Sequence, residues 1–231
     1  MRGSSCWVRA VIAVIVGLGA MMLYVPSLMP PAIAAGSLSR SAHPSIPVGA
    51  NAVLRPWVAA DAEAVVDAFR DPDIQRWHVR RADSVDEARQ WINAWQAGWA
   101  DEAQLNWALV ERASDSLMGR VSLKGVDLHD GAAGMAYWMV PAFRGRGLCS
   151  QAVHELSQWA FNDVGFHRIG LAHSLANPTS CRVAVKAGFR EEGIRRSAAL
   201  HADGWHDMHV HARLADHTLS SQPARGWGES V

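Results

Sequence analysis

The chain has 231 residues, 49% apolar and 19% charged, enough to bury the core of one domain with extensions and too apolar for general disorder. Its 22 Lys and Arg balance 22 Asp and Glu, so the formal net charge is zero; the broad basic surface of a nucleic-acid binder is missing, and no nucleic-acid partner is expected. Cys6, Cys149 and Cys181 stand far apart with no CxxC pair, which argues against a disulfide framework and a finger-type zinc site.

At the start of the chain, residues 10–25 carry no charge, follow Arg2 and Arg9, and lead through Pro26, Pro30 and Pro31 into Ala32-Ile33-Ala34. This resembles a signal peptide or a membrane anchor. The run is long for a signal core and short for a span of about 20 residues, and a start assigned too far upstream would give the same pattern. Residues 36–49, rich in Ser and Pro, read as a linker. The expected organisation is therefore a hydrophobic segment at 1–35, a linker at 36–52, a globular domain at 53–215, and a flexible tail at 216–231.

The domain opens with a short strand at 53–57, where Pro56 suggests a sheet edge. Asp61 is an N-cap candidate for a helix to Phe69, and Asp71-Pro72-Asp73 ends it. Ser84 and Glu87 form a capping box before a helix whose Trp91, Trp95 and Trp99 make one stripe, read as core ahead of cleft wall. Strands follow at 106–111, 117–126 and 134–140 as an antiparallel meander, then a helix from Ser150, a strand at 168–175, and a helix at 179–187. Strands at 194–200 and 207–214 close the domain across an Asp203-Gly204 hairpin signal.

Between the strand ending at Val140 and the helix that follows lies Arg144-Gly145-Arg146-Gly147-Leu148-Cys149-Ser150. A glycine-rich turn leaves the first N–H groups of the next helix pointing outward, where the helix dipole favours an anion such as a phosphate. Gly145 and Gly147 permit close approach, and Arg144 and Arg146 can add charge-assisted bonds. An ordinary turn fits the same short pattern.

These residues resemble the pyrophosphate loop of the GCN5-related N-acetyltransferase (GNAT) superfamily. Asn177-Pro178-Thr179-Ser180, followed by Val183, Lys186, Gly188 and Phe189, resembles the second block of the branch containing the ribosomal-protein-alanine N-acetyltransferases. Leu54-Arg55-Pro56 and Gly204-Trp205-His206-Asp207 are similar to that branch as well. The resemblance covers about 53–214. It implies an α/β (α+β) fold with a mixed sheet of about seven strands, splayed after the fourth and flanked by about four helices. It also implies acetyl-CoA as co-substrate on Met139, Val140, residues 144–150 and Asn177, with an amine attacking directly in a ternary complex. A CoA-binding module with attenuated catalysis is the alternative.

By the same resemblance Ser180 is the expected proton donor to the leaving thiolate; a capping residue is the competing reading. The carboxylate proposed as base in that branch falls near Ala199 here, a departure that leaves Asp207, His173 or a water chain as candidates. His173 alternates with Ile169, Leu171 and Leu175, the pattern of a packed core histidine. On a strand His209 and His211 share a face and His206 does not, and without a partner at supporting spacing no metal is expected. Cys149 at a helix N-terminus is a candidate for a lowered thiol pKa, beside the plainer reading of a small buried residue. The expected partner is a protein N-terminus or a small amine; a homodimer and membrane association through 10–25 stay open. Cofactor supply argues for a catalytic domain in the cytoplasm.

Overall fold

The protein is described from a computed structural model over residues 28–215; the apolar run at 10–25 and the tail at 216–231 lie outside the described residues. Contacts divide the chain into Met1–Pro30 and Pro31–Val231, and the sheet and its helices belong to the second unit. The strands are β1 Ile46–Val48, β2 Ala52–Pro56, β3 Gln104–Glu111, β4 Leu117–Asp127, β5 Ala132–Met139, β6 Arg168–Ser174, β7 Arg190–His201 and β8 Gly204–Leu214. Among the described residues they form one sheet, ordered β1-β2-β3-β4-β5-β6-β8-β7. The helices are α1 Ala62–Ala68, α2 Pro72–Arg76, α3 Val85–Ala100, α4 Leu148–Trp159 and α5 Pro178–Lys186.

The meander is present: β2 through β5 pair antiparallel in sequence order. β3 is buried on both faces, because alternation sends Leu105, Trp107 and Leu109 into one apolar cluster and Ala108 and Val110 into another. The first cluster also holds Val153 and Leu156 of α4; the second holds Val65 of α1 and Ile92 of α3. The capping box of α3 is made as expected, with Ser84 Oγ accepting from Glu87 N–H and Glu87 Oε2 accepting from Ser84 N–H, both at 3.2 Å. The tryptophan stripe is core: Trp99 is buried against Trp107 and Trp159, and Trp91 packs on Phe69.

Three local readings change. Asp71-Pro72-Asp73 starts a helix as well as ending one, since Asp71 Oδ1 accepts from Ile74 N–H at 2.8 Å and Pro72 occupies the first turn of α2. Asp61 does not cap α1 through its side chain; it accepts from Val58 N–H at 2.9 Å and takes both arms of the Arg55 guanidinium at 2.8 Å. β2 is not the edge strand, because β1 pairs with it from Ala52 to Leu54, but β1 stops short of Pro56, which lies where that side of β2 is uncovered.

The expected linker at 36–52 is instead part of the fold. β1 lies in it, and upstream Ile33 and Leu38 are 3% and 2% exposed within the core. Glu102 accepts the N–H groups of Gly36, Leu38 and Ser39 at 2.7, 2.7 and 3.0 Å. Burial would raise the Glu102 pKa, but the three donors together hold it below its usual value. Trp99 and Trp107 donate their indole N–H groups to Ser41 O and Pro44 O at 3.2 and 2.9 Å, and His43 stacks on Trp99 at 4.0 Å. Serine and proline made this segment look like a spacer; the tryptophans that hold it are far away in sequence.

One sheet junction sets the site. β5 and β6 run parallel and pair from Ala132↔Arg168 to Met135↔Leu171. Beyond that point β5 continues with β4 to Met139 and β6 continues with β8 to Ser174, so the two strands part and a wedge opens between them.

Candidate functional site

The wedge is the floor of a cleft of about 840 Å³, closed at one end by residues 144–150 and on one side by α5. A one-turn helix, Pro141–Phe143, carries the chain from β5 into the loop. Gly145 and Gly147 sit at φ +76° and +78°, left-handed backbone that L side chains adopt at a cost of about 1–2 kcal/mol. Gly147 then occupies the N-cap position of α4 with no side chain to cap it, so the N–H groups of Leu148, Cys149 and Ser150 face the cleft end. A Cβ built at either glycine would meet nothing within 4 Å, which leaves room for a ligand above the loop.

The two loop arginines behave differently from the expectation. Arg144 lines the cleft, but its guanidinium reaches Asp71 Oδ1 at 2.6 Å, Asp73 Oδ2 at 3.1 Å and Met139 O at 3.1 Å, tying the loop to α2 and to the end of β5. Arg146 is exposed and lies over the Phe143 ring at 5.6 Å, outside the cleft lining. The anion end is therefore built mainly from backbone.

At the wedge, Val140 N–H donates to Met118 O at 2.9 Å and is used within the sheet. Alternation along β5 turns the Met139 N–H the other way, toward the cleft. Of the pair Met139 and Val140, Met139 thus offers the N–H that can bind a carbonyl oxygen.

α5 delivers Ser180. Asn177 caps it, its Oδ1 accepting from Ser180 N–H at 3.0 Å with Pro178 in the first turn. Ser180 Oγ is 2.7 Å from Tyr137 Oη, which also lies 3.2 Å from Ser180 O. Burial pushes the Tyr137 phenol further above its usual pKa; the Cys149 side adds to this and the bond to Ser180 opposes it. The phenol stays protonated and can pass its proton to Ser180. Sequence reading missed Tyr137, although it shares a strand face with Met135 and Met139 and is one of two tyrosines in the chain.

Of the two weak base candidates, His173 lines the cleft and Asp207 does not. Asp207 Oδ1 accepts from Ser197 N–H at 2.8 Å, holding an irregularity of β7 where Ser197 has φ +45°. His173 is 6% exposed, with Nδ1 2.9 Å from Ser174 O and Nε2 3.2 Å from His211 Nε2. The far end of the cleft is lined by Trp77, His78 and His201, with Trp77 and His201 in edge contact at 5.5 Å. Among the described residues Asp73 is the one carboxylate of the lining, and it is paired with Arg144. Burial lowers the pKa of His78 and of His201, so both are neutral near pH 7. Beside them His206 links Ser174 Oγ at 2.6 Å to Asp203 Oδ1 at 2.8 Å. Cys149 is not activated: burial outweighs the helix dipole and pushes its thiol up to about 12.

A parallel pair that parts over a glycine-rich helix N-terminus defines an acyl-CoA-dependent transferase of the GNAT type. The chain belongs to the acetyltransferase (GNAT) domain family, whose profile matches residues 51–190. It is 30% identical over 175 residues to the probable N-acetyltransferase YjcK of Bacillus subtilis, covering 72% of this chain and 95% of that one. With the uncharacterized N-acetyltransferase YoaA of the same organism it shares 23% identity over 161 residues, 69% of this chain and 91% of the relative. Among solved structures, RimL, a ribosomal L7/L12 α-N-protein acetyltransferase in complex with coenzyme A, superposes with a TM-score of 0.70 at 20% identity, over 75% of this chain and 99% of its own. The chain is an N-acetyltransferase, and no helix among the described residues is long and apolar enough to cross a membrane.

Proposed function

We propose that the chain moves an acetyl group from acetyl-CoA to the α-amine of a protein N-terminus by direct attack in a ternary complex. The observation that carries this reading is the wedge between β5 and β6 with the Gly147 helix start at its end. The pyrophosphate of acetyl-CoA lies on the N–H groups of Leu148, Cys149 and Ser150, and the pantetheine arm runs past Asn177. The thioester carbonyl accepts from Met139 N–H, which stabilises the oxyanion formed on attack. As the tetrahedral adduct collapses, the C–S bond breaks and the thiolate takes a proton from Ser180, which takes one from Tyr137, while the proton released by the attacking nitrogen passes to water and solvent restores the phenol.

The acceptor follows from what lines the other end. Asp73 is already paired, so a strong base for a lysine ammonium is missing from the described lining. A terminal α-amine, with a pKa of about 7.7–8.0 against about 10.4 for lysine, is substantially neutral near pH 8 and needs only a weak acceptor such as water or a neutral imidazole. The likeness to RimL, an α-N-protein acetyltransferase, supports an N-terminal acceptor. Because acetyl-CoA is supplied in the cytoplasm, the domain works there; mass spectrometry of the native N-terminus with cell fractionation tests this, and an exported protein starting near Ala35 contradicts it.

The experiment is CoA-thiol release over a matrix of acetyl-CoA and acceptor, using N-terminal peptides, lysine peptides with blocked N-termini, and small amines. Intersecting initial-rate lines with N-terminal peptides are expected. Turnover only on blocked lysine peptides overturns the acceptor; tight acetyl-CoA binding without turnover on any acceptor leaves the attenuated module.

A further inference from the structure

Bordering the acetyl-transfer cleft, whose lining includes His173, β6, β8 and α5 bring three histidines and a cysteine together. The donor atoms of His173, Cys181, His209 and His211 all lie within 4.8 Å of one another. His173 Nε2 is 3.2 Å from His211 Nε2, which is 3.3 Å from His209 Nδ1; Cys181 Sγ is 3.9 Å from that Nδ1. The pairing of β6 with β8 sets His173 opposite His209, and the first turn of α5 lowers Cys181 onto them. Residues 28 to 38 apart in sequence meet here, which is why strand spacing on β8 alone pointed to no metal.

The contacts among the rings are not ordinary hydrogen bonding. His173 Nδ1 sits 2.9 Å from Ser174 O and must carry the proton there, so its Nε2 presents a lone pair inward. Glu191 Oε1 stands 2.9 Å from His209 Nε2, within ion-pair distance though off the hydrogen-bond axis, and favours the proton on that nitrogen; His209 Nδ1 then also faces inward with a lone pair. His211 Nε2 lies between these two lone pairs and can satisfy only one by donating, which leaves the other to the weak S–H donor of Cys181 at 3.9 Å from His209 Nδ1. A cation among them satisfies both and takes the His211 nitrogen and the sulfur as well. The backbone carbonyl behind one ring and the carboxylate behind another are the partners that metal-bound imidazoles use to fix their tautomer.

We infer that these four side chains form a structural zinc site, Cys181 Sγ, His173 Nε2, His209 Nδ1 and His211 Nε2 being its ligands. Zinc bonds of about 2.0–2.1 Å to nitrogen and about 2.3 Å to sulfur give tetrahedral edges of roughly 3.3 Å and 3.6 Å; the nitrogen pairs at 3.2 and 3.3 Å match, the sulfur contact at 3.9 Å is longer, and the set lies within 4.8 Å, so the ligands draw inward as the ion binds. The thiolate and imidazole donors exclude magnesium and calcium, and a closed tetrahedral set of three nitrogens and one sulfur selects zinc over metals that prefer planar or octahedral coordination. Binding forms the Zn–S bond as the Cys181 proton leaves to solvent. His173 and His211 are 6% and 1% exposed, so two of the four donors lie in the protein interior, away from competing water. With four protein ligands the ion has no open position and does no acetyl chemistry. It pins the turn of α5 that carries Ser180, one residue before Cys181, to the strands beneath.

The test uses the full chain without a polyhistidine tag, purified without chelator. Mass spectrometry of metals is expected to find about one zinc per chain in the native protein and in Cys149→Ser, and almost none in Cys181→Ser. Cobalt(II) loaded after zinc removal should give tetrahedral visible bands and a thiolate charge-transfer band, the latter lost in Cys181→Ser. Glu191→Gln should bind zinc about 10-fold more weakly with unchanged circular dichroism, which reads the site even if Cys181→Ser fails to fold. Substoichiometric metal in the native chain, together with zinc chloride that produces neither heat nor a rise in Tm, overturns the proposal; so does a thiolate band that survives in Cys181→Ser. These readouts do not depend on acetyl transfer, so an inactive chain that holds zinc separates the two readings.

Discussion

At the loop end of the cleft, two glycines at φ +76° and +78° turn three backbone N–H groups outward, while at the acceptor end Trp77, His78 and His201 present side chains with no unpaired carboxylate among them. The first end is fixed by covalent geometry: the donors belong to the chain itself, and the nearby arginine braces the loop from behind. The second is fixed by which side chains converge from the end of α2 and the end of β7. A backbone-built end has one ligand chemistry, phosphate; a side-chain-built end can change acceptor by substitution without disturbing the first. The two ends should therefore respond separately to mutation.

The largest effect is expected at the loop. Gly147→Val loses about two charge-assisted bonds to phosphate at about 1.5 kcal/mol each, so the acetyl-CoA KM should rise about 100-fold while the acceptor KM holds. Steady-state kinetics checks this, and chemical denaturation should show a stability loss of about 1–2 kcal/mol from the positive φ. Between the ends, Ser180→Ala should lower kcat about 10- to 100-fold and leave the acetyl-CoA KM within about threefold. Tyr137→Phe should act in the same direction, and the double variant should be no slower than the worse single one if the two hydroxyls form one relay. At the acceptor end, Trp77→Ala should raise the acceptor KM about 10-fold through lost aromatic contact, with acetyl-CoA unaffected.

A smaller effect separates bracing from binding. Arg144→Ala should raise the acetyl-CoA KM about fivefold, and Asp71→Asn should do the same, because both break the contact that holds the loop to α2. An Arg144 that bound phosphate directly would instead be freed by Asp71→Asn, and affinity would improve.

The smallest expected effect lies away from both ends, in the N-terminal arm. Burial holds His43 neutral with a pKa of about 4, below its unfolded value of 6.5. The stabilisation is fully present above pH 6.5 and is lost as pH falls toward 4, on the order of 1–2 kcal/mol after allowing for solvent screening. Tm measured across that window should fall, His43→Phe should flatten the slope, and neither change should alter KM at neutral pH.

What was legible in the sequence divides along the same line. The Arg144–Ser150 loop and the Ser84 and Glu87 capping box are local patterns, and local backbone chemistry places them correctly; the capping role read as the alternative for Ser180 belongs to Asn177. The strands of the meander could be read from alternation for the same reason. Features that depend on distant pairing could not. Glu102 folds the arm from 64 residues away, so the segment read as a spacer. Arg144 looked like a phosphate ligand because Asp71 lies 73 residues upstream. Tyr137 was hidden in an apolar run until α5 set Ser180 against it; His173 joined His209 and His211 only through the pairing of β6 with β8, and Cys181 only through the packing of α5 on them.

The central claim is that the Gly147 helix start holds the pyrophosphate of acetyl-CoA. Calorimetric titration of acetyl-CoA and of S-acetylpantetheine, which lacks the pyrophosphate, into the native chain and into Gly147→Val tests it most directly. The expected result is acetyl-CoA weakened about 100-fold by the substitution and S-acetylpantetheine unchanged. Equal weakening of both ligands, or unchanged binding of acetyl-CoA, would contradict it.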